Sequence, residues 1–482
     1  MASKADAFCE RHYVALALAV LSLAAFNLSF RLTRENVAEW DESLYAVSAI
    51  EMIQAGDWVG TTFQGQLDYS NSKPPLNVWL LALAFEWFGP GLASLRAPSA
   101  AAAWATVLAL VLWTRRHFGA TTSLLSGLVL STAFGFLHVH SGRSANPDAL
   151  MALLLLLLVI VEAESDARPT RLAWLGPLMA GVFLLKGMAV LLPLTFVIAM
   201  EAWRLRRGRS APWRPLATAA VLFAVPVAAW ATARWRVDEW RFLRLLVTQD
   251  LLRLGTTAMD GLGGPPWYYL DVIQRHHYDW LVAGIVGLAW LPPAVRARLG
   301  RHAWFWRHDR VSMALGSWTL VSLAVPSLLQ TKLPWYVNPF YPALALGVGW
   351  VLARSLRPAR PVPRRSRLVL ATVVVLAVGT AEGKFVWHSV YQRPLEGSAQ
   401  ELLIGAREQL RGRTVFRSSW TRAERFVVRG IVGGELAEAS SVERFLAESP
   451  RGSYLLAEAS LRHDGLVVYR ANGRFGLFGR AN

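Results

Sequence analysis

Two adjacent carboxylates, Asp41 and Glu42, sit in the run Trp40-Asp41-Glu42-Ser43-Leu44-Tyr45, shortly past the first long apolar stretch. Tyr69 and the sequence Lys73-Pro74-Pro75 follow. A positioned carboxylate can take the proton of a hydroxyl that attacks carbon, and an ammonium or guanidinium can hold a phosphate. The same kinds of residue recur as Arg143 with Asp148, Asp250 with Arg253, and Lys332 with Tyr336. Each group also has a plainer reading. Asp41 and Glu42 could be solvated loop acids, Lys73 could snorkel to headgroups, and Asp148 could cap a helix. Arg143 could pair locally with Asp148, and Tyr336 could be an interfacial aromatic. The chemical reading gains weight only if these groups converge, which depends on the elements between them.

Those elements are membrane helices. Of the 482 residues, 54% are hydrophobic and only 17% charged, where a soluble domain carries about 25% charged residues. The mean hydropathy is +0.33. Apolar runs near the bilayer-crossing length of about 20 residues recur along the chain. The 22 Trp, 11 Tyr and 21 Phe gather near their ends, as interfacial aromatics do. The fold class expected is an all-α polytopic membrane protein of about 11–13 transmembrane helices, with a small C-terminal α/β extracytoplasmic domain. The net charge of +17 does not indicate nucleic-acid binding, because the basic residues cluster between apolar runs in the positive-inside pattern. The single Cys9 precedes the first span, so no intrachain disulfide is available. The first apolar run, Tyr13 to Phe30, reads as a retained signal anchor.

Spans are expected near residues 13–30, 97–113, 121–138, 149–161, 172–185, 188–203, 216–233, 280–291, 311–329, 337–353 and 368–387. The pair around Lys186-Gly187 reads as two crossings joined by a hinge. Residues 76–88 are too short to span comfortably and read as a helix at the interface. Residues 44–54 carry apolar positions at helical spacing, which predicts a surface helix on the membrane. Arginines crowd alternate loops, as in Arg204–Arg214 and Arg354–Arg367. The amino terminus and these loops are therefore expected in the cytoplasm. The long polar loops 31–75 and 234–278, the turns at 141–148 and 330–336, and the tail then share the outer face of a plasma or inner membrane. The organisation expected is a transmembrane catalytic domain over 1–388 and an extracytoplasmic α/β domain over 389–482. In that tail, strands are expected at 414–416, 426–428, 453–456 and 466–469, and helices at 399–409 and 441–448. His276-His277 lacks further His at ligand spacing and reads as a surface pair.

Seven ordered motifs carry a family resemblance. They are Trp-Asp-Glu-Ser-Leu-Tyr-Ala with Gly-Asp-Trp (40–58), Lys-Pro-Pro-Leu (73–76), Phe-Gly with Leu-Arg-Ala-Pro-Ser-Ala (88–100), Arg with Pro-Asp-Ala-Leu (143–150), Leu-Leu-Lys-Gly (184–187), Gly-Pro-Pro-Trp-Tyr-Tyr (264–269) and Lys-Leu-Pro-Trp-Tyr (332–336). Together they resemble the GT-C glycosyltransferases, in the protein-mannosyltransferase-like branch that includes the lipid A aminoarabinose transferases. The resemblance covers residues 12–353. It implies inverting transfer of a sugar from a polyprenyl-phosphate carrier to an outer-face acceptor, which could be a lipid A-like glycolipid, a glycan or a protein. Asp41 matches the family's general base, with Glu42 and Asp148 grouped beside it as catalytic acids. Lys73, Arg253 and Tyr336 match its phosphate contacts, and Tyr69 and Lys332 are grouped with them. The aminoarabinose branch has Glu before Lys-Pro and His in the later loop, both of which go with a metal site. Here those positions hold Ser72 and Asp250. No cofactor is therefore assigned, a divalent metal is left open, and Asp250 is its candidate ligand. The alternative is a transporter or lipid flippase, which would place charges at mid-membrane on broken, repeated helices.

Overall fold

The computed structural model describes residues 4–249, 256–258, 261–291, 309–356 and 364–481. A short helix α1 (Lys4–Arg11) leads into α2 (Tyr13–Ser29). The first polar loop folds into α3 (Asp41–Ala55), a hairpin of β1 (Thr62–Phe63) and β2 (Gln66–Leu67), and α4 (Leu76–Phe88). The bundle continues through α5 (Leu92–Phe118), α6 (Ala120–Ser131), α7 (Phe134–His138), α8 (Asp148–Glu164), α9 (Leu175–Lys186), α10 (Leu191–Arg206), α11 (Trp213–Asp238) and α12 (Arg241–Val247). It ends with α13 (Tyr268–Trp290), α14 (Arg310–Leu328), α15 (Tyr341–Ser355) and α16 (Arg364–Tyr391).

Among the described residues, six segments are long and apolar enough to cross a membrane: Tyr13–Arg34, Leu92–Phe118, Pro169–Arg206, Trp213–Asp238, Arg310–Leu328 and Leu368–Tyr391. The protein is a multi-pass membrane protein. The segment Pro169–Arg206 is not one straight crossing. Its chain reverses after Lys186 at Gly187, whose φ of +54° and ψ of −119° suit a residue without Cβ. Lys186 Nζ lies 2.6 Å from Asp148 at the start of α8, and Arg204 donates to Ser165 (3.2 Å) just past its end. Thus α9 and α10 traverse the length of α8 in opposite directions, as the expected hinged pair.

The bundle is polarised. At one end Arg115 pairs with Glu10 (2.6 Å), Arg209 with Asp166 (2.6 Å), and Arg116 with Glu164 (3.6 Å). Arg310 meets Glu162 and Glu201 near the same end. Asp41, Lys73, Asp148 and Lys186 lie at the other end of these helices, so the Arg-rich turns and the candidate acids are separated by the bundle.

Over that second end lies a layer of α3, α4 and the tail. Here α3 departs from the expected surface helix, because residues Glu42 to Met52 are all buried. The reason is that the tail covers it. Tyr45, Ile50, Val78, Phe85, Phe426 and Val428 belong to one apolar core, with Phe85 stacked on Phe426 at 5.6 Å. The tail contains α17 (Ala399–Gly405), α18 (Arg407–Leu410), β3 (Thr414–Arg417), α19 (Arg422–Phe426), β4 (Glu435–Glu438), α20 (Val442–Glu448), β5 (Tyr454–Glu458), β6 (Leu466–Ala471) and β7 (Phe475–Arg480). Its five-stranded sheet has the order β4-β3-β5-β7-β6, with β3 parallel to both β4 and β5. The expected strand at 426–428 is instead helical: α19 continues into a π-helix over Val427–Val432. Its buried positions 427, 428, 431 and 432 follow helical spacing, which a three-residue window cannot reveal.

The layer is pinned by Glu42. Its carboxylate is fully buried and bonds Arg96 Nε (2.9 Å) and Nη2 (3.2 Å), the Ala38 N–H (2.7 Å) and the Ala145 N–H (3.1 Å). Burial alone would raise the Glu42 carboxyl pKa, but the Arg96 guanidinium and these hydrogen bonds outweigh it and hold it below the usual value. Replacing Arg96 by Met leaves Glu42 buried without its counter-charge. The expected loss is about 3–5 kcal/mol of stability, checked by thermal unfolding of the detergent-solubilised protein. A change under about 1 kcal/mol would contradict the pinning role.

Candidate active site

The first turn of α3 separates its two acids. Successive helical residues point about 100° apart, so Glu42 enters the core while Asp41 turns to the cleft. Asp41 keeps 31% side-chain exposure. Its Oδ2 lies 3.3 Å from Lys73 Nζ and 3.2 Å from His140 Nε2. Lys73 Nζ also donates to the Tyr45 hydroxyl (2.6 Å), one turn along α3. Among the described residues only Oδ2 of Asp41 is engaged, so Oδ1 is free to accept a proton.

His140 bridges two acids. Its Nδ1 lies 2.9 Å from Asp148 Oδ2, while Nε2 faces Asp41. The ring is stacked on Trp335, centroids 4.0 Å apart at 10°. Its backbone φ is +56°, an unusual conformation for a side-chain-bearing residue. The turn that carries it is tied down on three sides. Asn77 donates to the Ala145 carbonyl (3.0 Å), Ser99 to the Asn146 carbonyl (2.8 Å), and Asn338 to the Val139 carbonyl (3.1 Å). Asp148 opens α8, where the helix dipole favours a carboxylate. Its Oδ1 takes the Lys186 ammonium, which also lies 5.4 Å from the centre of the Tyr336 ring.

A cleft of about 190 Å3 opens beside this chain of charges. Lys73, Asp148, Lys186 and Tyr336 form its polar head. Its walls are apolar: Met188, Leu191 and Leu192 on the α10 side, Val325, Pro326 and Leu329 on the α14 side. The shape suits a molecule with an anionic head and a hydrocarbon tail.

The structure therefore brings together Asp41, Lys73, Asp148 and Tyr336. Glu42 is excluded from the cleft by its burial against Arg96. Tyr69 lies apart, with the Arg241 guanidinium 3.9 Å from its ring centre and Asp238 bonded to its hydroxyl. Lys332 is buried and donates to the Ser327 (2.8 Å) and Leu329 (2.6 Å) carbonyls at the end of α14. Arg143 pairs with Glu35 and donates to the Asn27 carbonyl (2.7 Å), not with Asp148. His276 and His277 are not a surface pair: His277 is buried, and His276 faces Phe134 at 5.7 Å. Arg253 and Asp250 lie outside the described residues. Two residues of the cluster were missed as members: His140, which had no motif around it, and Lys186, which read as a hinge although its Leu-Leu-Lys-Gly motif had drawn attention.

The profile of the family described as "Dolichyl-phosphate-mannose-protein mannosyltransferase" matches residues 72–230. The undecaprenyl phosphate-alpha-4-amino-4-deoxy-L-arabinose arabinosyl transferase of Pseudomonas aeruginosa (strain LESB58) is 31% identical over 397 residues, covering 80% of this chain and 69% of the relative. The chain belongs to that family of GT-C glycosyltransferases. A relative from Pseudomonas fluorescens (strain Pf-5) is 28% identical over 390 residues, 79% of this chain and 63% of its own. Among solved structures, ArnT from Cupriavidus metallidurans bound to undecaprenyl phosphate superposes with a TM-score of 0.67 over 97% of both chains, at 17% identity. The Archaeoglobus fulgidus oligosaccharyltransferase gives 0.54 over 92% of this chain and 69% of its own, at 14% identity. These likenesses carry the GT-C fold.

Of the metal ligands implied by the sequence resemblance, the candidate Asp250 lies outside the described residues. Ser72 offers a hydroxyl where the branch has a carboxylate, and among the described residues no group of three or more His, Cys, Asp or Glu could hold an ion.

Burial pushes the Asp41 carboxyl up, but the Lys73 ammonium and His140 outweigh it and hold it far below the usual carboxylate range. Its ionised form therefore stabilises the fold above the ordinary carboxylate pKa, a contribution lost as pH falls through the lowered value. In Lys73→Met the acid limb of the kcat/KM profile for sugar transfer is expected to move to higher pH. A limb at the wild-type position would show that Lys73 does not set the charge of Asp41.

Proposed function

We propose that this chain transfers a sugar of the 4-amino-4-deoxy-L-arabinose class from undecaprenyl phosphate to a lipid A-like glycolipid, with inversion at the anomeric carbon. The observation that carries the reading is the partly exposed Asp41 carboxylate beside a cleft with a cationic head and an apolar body. The donor's phosphate would sit against Lys73, Lys186 and Tyr336, with its polyprenyl chain between α10 and α14. Asp41 Oδ1 takes the proton of the acceptor hydroxyl as its oxygen attacks the anomeric carbon from the side opposite the phosphate. The bond from that carbon to the phosphate oxygen breaks, and the phosphate leaves with the electron pair. The ammonium groups of Lys73 and Lys186 stabilise its growing charge. Asp148 and His140 position this pair of cations and the base, and Glu42 supports α3 from the core. Tyr69 and Lys332 do not reach the reacting groups in this arrangement.

The membrane placement follows from charge. The Arg-rich end would face the cytoplasm of the inner membrane, with the amino terminus, and the Asp41 end would face outward with the C-terminal domain. The polar cluster lies at one end of the helices rather than midway along them, which favours transfer over transport.

The test is transfer from undecaprenyl-phosphate aminoarabinose to lipid A by the purified protein in proteoliposomes. Asp41→Asn is expected to lower kcat by a factor of about 10²–10⁴ while undecaprenyl phosphate still binds. Lys186→Met is expected to weaken donor binding and lower kcat/KM. An Asp41→Asn protein with wild-type turnover would remove Asp41 from the base role, and wild-type protein inactive with this donor and acceptor would overturn the substrate reading.

A further inference from the structure

We infer that Trp40 and Arg422 form a binding subsite for the sugar-phosphate headgroup of the acceptor, beside the base. The inference rests on the proposed transfer reaction and adds the side from which the acceptor approaches.

Trp40 precedes Asp41 directly, and its side chain is 74% exposed while the helix behind it is buried. Its backbone has φ +74° and ψ −119°, a region that a bulky side chain enters at a cost. The surroundings hold it there. The Trp40 carbonyl accepts from the Leu44 N–H (2.9 Å) and the Ser43 hydroxyl (3.1 Å), and the Glu39 carboxylate accepts from the Ala423 N–H (3.3 Å). Strained, over-determined conformations of this kind gather at functional sites. Burial does not explain this one, because the strain turns a large aromatic outward.

The second half comes from the tail. Arg422 is the first residue of α19, fixed by a capping box in which Thr421 and Glu424 bond each other's backbone. Its guanidinium lies 5.2 Å from the Trp40 ring centre and 5.7 Å from that of Phe63. Phe63 sits on the β1–β2 hairpin, which is braced to α3 by the Ser48 hydroxyl (2.8 Å to the Thr62 carbonyl). The neighbouring arginines are neutralised: Arg417 pairs with Glu424, Arg425 with Glu438 (3.1 Å) and Arg429 with Glu51 (3.5 Å). Among the described residues Arg422 has no carboxylate partner. A guanidinium held by two aromatic faces keeps its fork for an anion, and the open face of Trp40 can stack on a sugar ring. Trp40 immediately precedes Asp41 in the chain, and Arg422 lies against its ring, outside the residues that line the proposed donor cleft. An acceptor gripped there by its phosphate and sugar brings its hydroxyl to Asp41 without crossing the donor's path.

Trp40→Gly removes the ring and relieves the strained backbone, so it is expected to fold with an unchanged or raised unfolding temperature. It should raise the KM for lipid A by about tenfold and leave the KM for undecaprenyl-phosphate aminoarabinose unchanged. Arg422→Gln should raise KM for lipid A, and should weaken binding of lipid A but not of dephosphorylated lipid A. A second measurement does not need turnover: binding of fluorescent lipid A to the Asp41→Asn protein, alone and combined with Trp40→Gly or Arg422→Gln. Weakened binding in both combinations supports the subsite. Unchanged lipid A binding, or a fall in kcat with unchanged acceptor KM, overturns it, as does a loss of bilayer anchoring in Trp40→Gly with acceptor KM intact. Wild-type protein that binds lipid A without transferring to it would instead sink the transfer reading.

Discussion

The buried pair Glu42–Arg96 is the constraint on which the candidate site depends. A carboxylate at 0% side-chain exposure must be matched by charge and hydrogen bonds, and Glu42 finds four: two from Arg96 on α5 and one each from the backbone of Ala38 and Ala145. Those partners come from three separate segments. Satisfying one carboxylate therefore fixes the first turn of α3, the start of α5 and the turn before α8 relative to one another. Asp41 inherits its position from that arrangement. A helical step of about 100° turns it from the core toward the cleft, and the adjacent acids take opposite roles because one cannot move without the other.

From Asp41 the charges alternate in sign along a path that joins different elements. Lys73 and His140 flank Asp41, His140 reaches Asp148, and Asp148 holds Lys186. Asp148 begins α8 and Lys186 ends α9, so each sits at the helix terminus whose dipole favours its charge. The two ammonium groups are thereby kept at the head of the cleft even without a ligand. Preorganised cations lose little on meeting a phosphate, because their side chains are already ordered. The plane of His140 is set by Trp335, which belongs to the same turn as Tyr336. The turn before α14's successor thus takes part both in orienting the histidine and in closing the cleft.

Length and hydropathy were enough to read the six long apolar segments among the described residues, the hinge at Lys186-Gly187 and the short α4, because each depends on local composition. The single span expected at 121–138 is instead two helices, α6 and α7. The α/β tail was legible in outline, and three of its four anticipated strands formed. Val427-Val428 failed because a short apolar run has no period of its own. The burial of α3 was not legible either, since its cover lies more than 370 residues away in the chain and comes from the tail. Asp41, Lys73 and Asp148 were singled out because carboxylates and cations beside apolar runs stand out, and Tyr336 through its Lys-Leu-Pro-Trp-Tyr motif; the fold brings these four together. His140 was missed because an imidazole in a polar turn has no distinctive spacing, and its partners at Asp41 and Asp148 are set by folding. Tyr69 and Lys332 had the right chemistry and the right side of the bundle. Topology delivered them to that face, and local partners then claimed them.

The tail is better understood as part of the site's frame than as an appended domain. One apolar core runs from α3 and α4 into α17, α19 and the sheet. Polar contacts stitch the same boundary: Gln400 bonds both backbone groups of Val37, at 2.9 and 3.1 Å, and Asn36 donates to the Pro394 carbonyl (2.8 Å). Each of these lies within six residues of Asp41. Removing the tail would expose Tyr45, Ile50, Val78 and Phe85 to water and would free the strand of chain that leads into the first turn of α3. Interfaces that resemble a continuous core behave as obligate ones. The orientation of Asp41 is therefore a property of the whole chain, set on one side by Arg96 of α5 and on the other by a sheet-bearing tail that carries none of the cleft's charged groups.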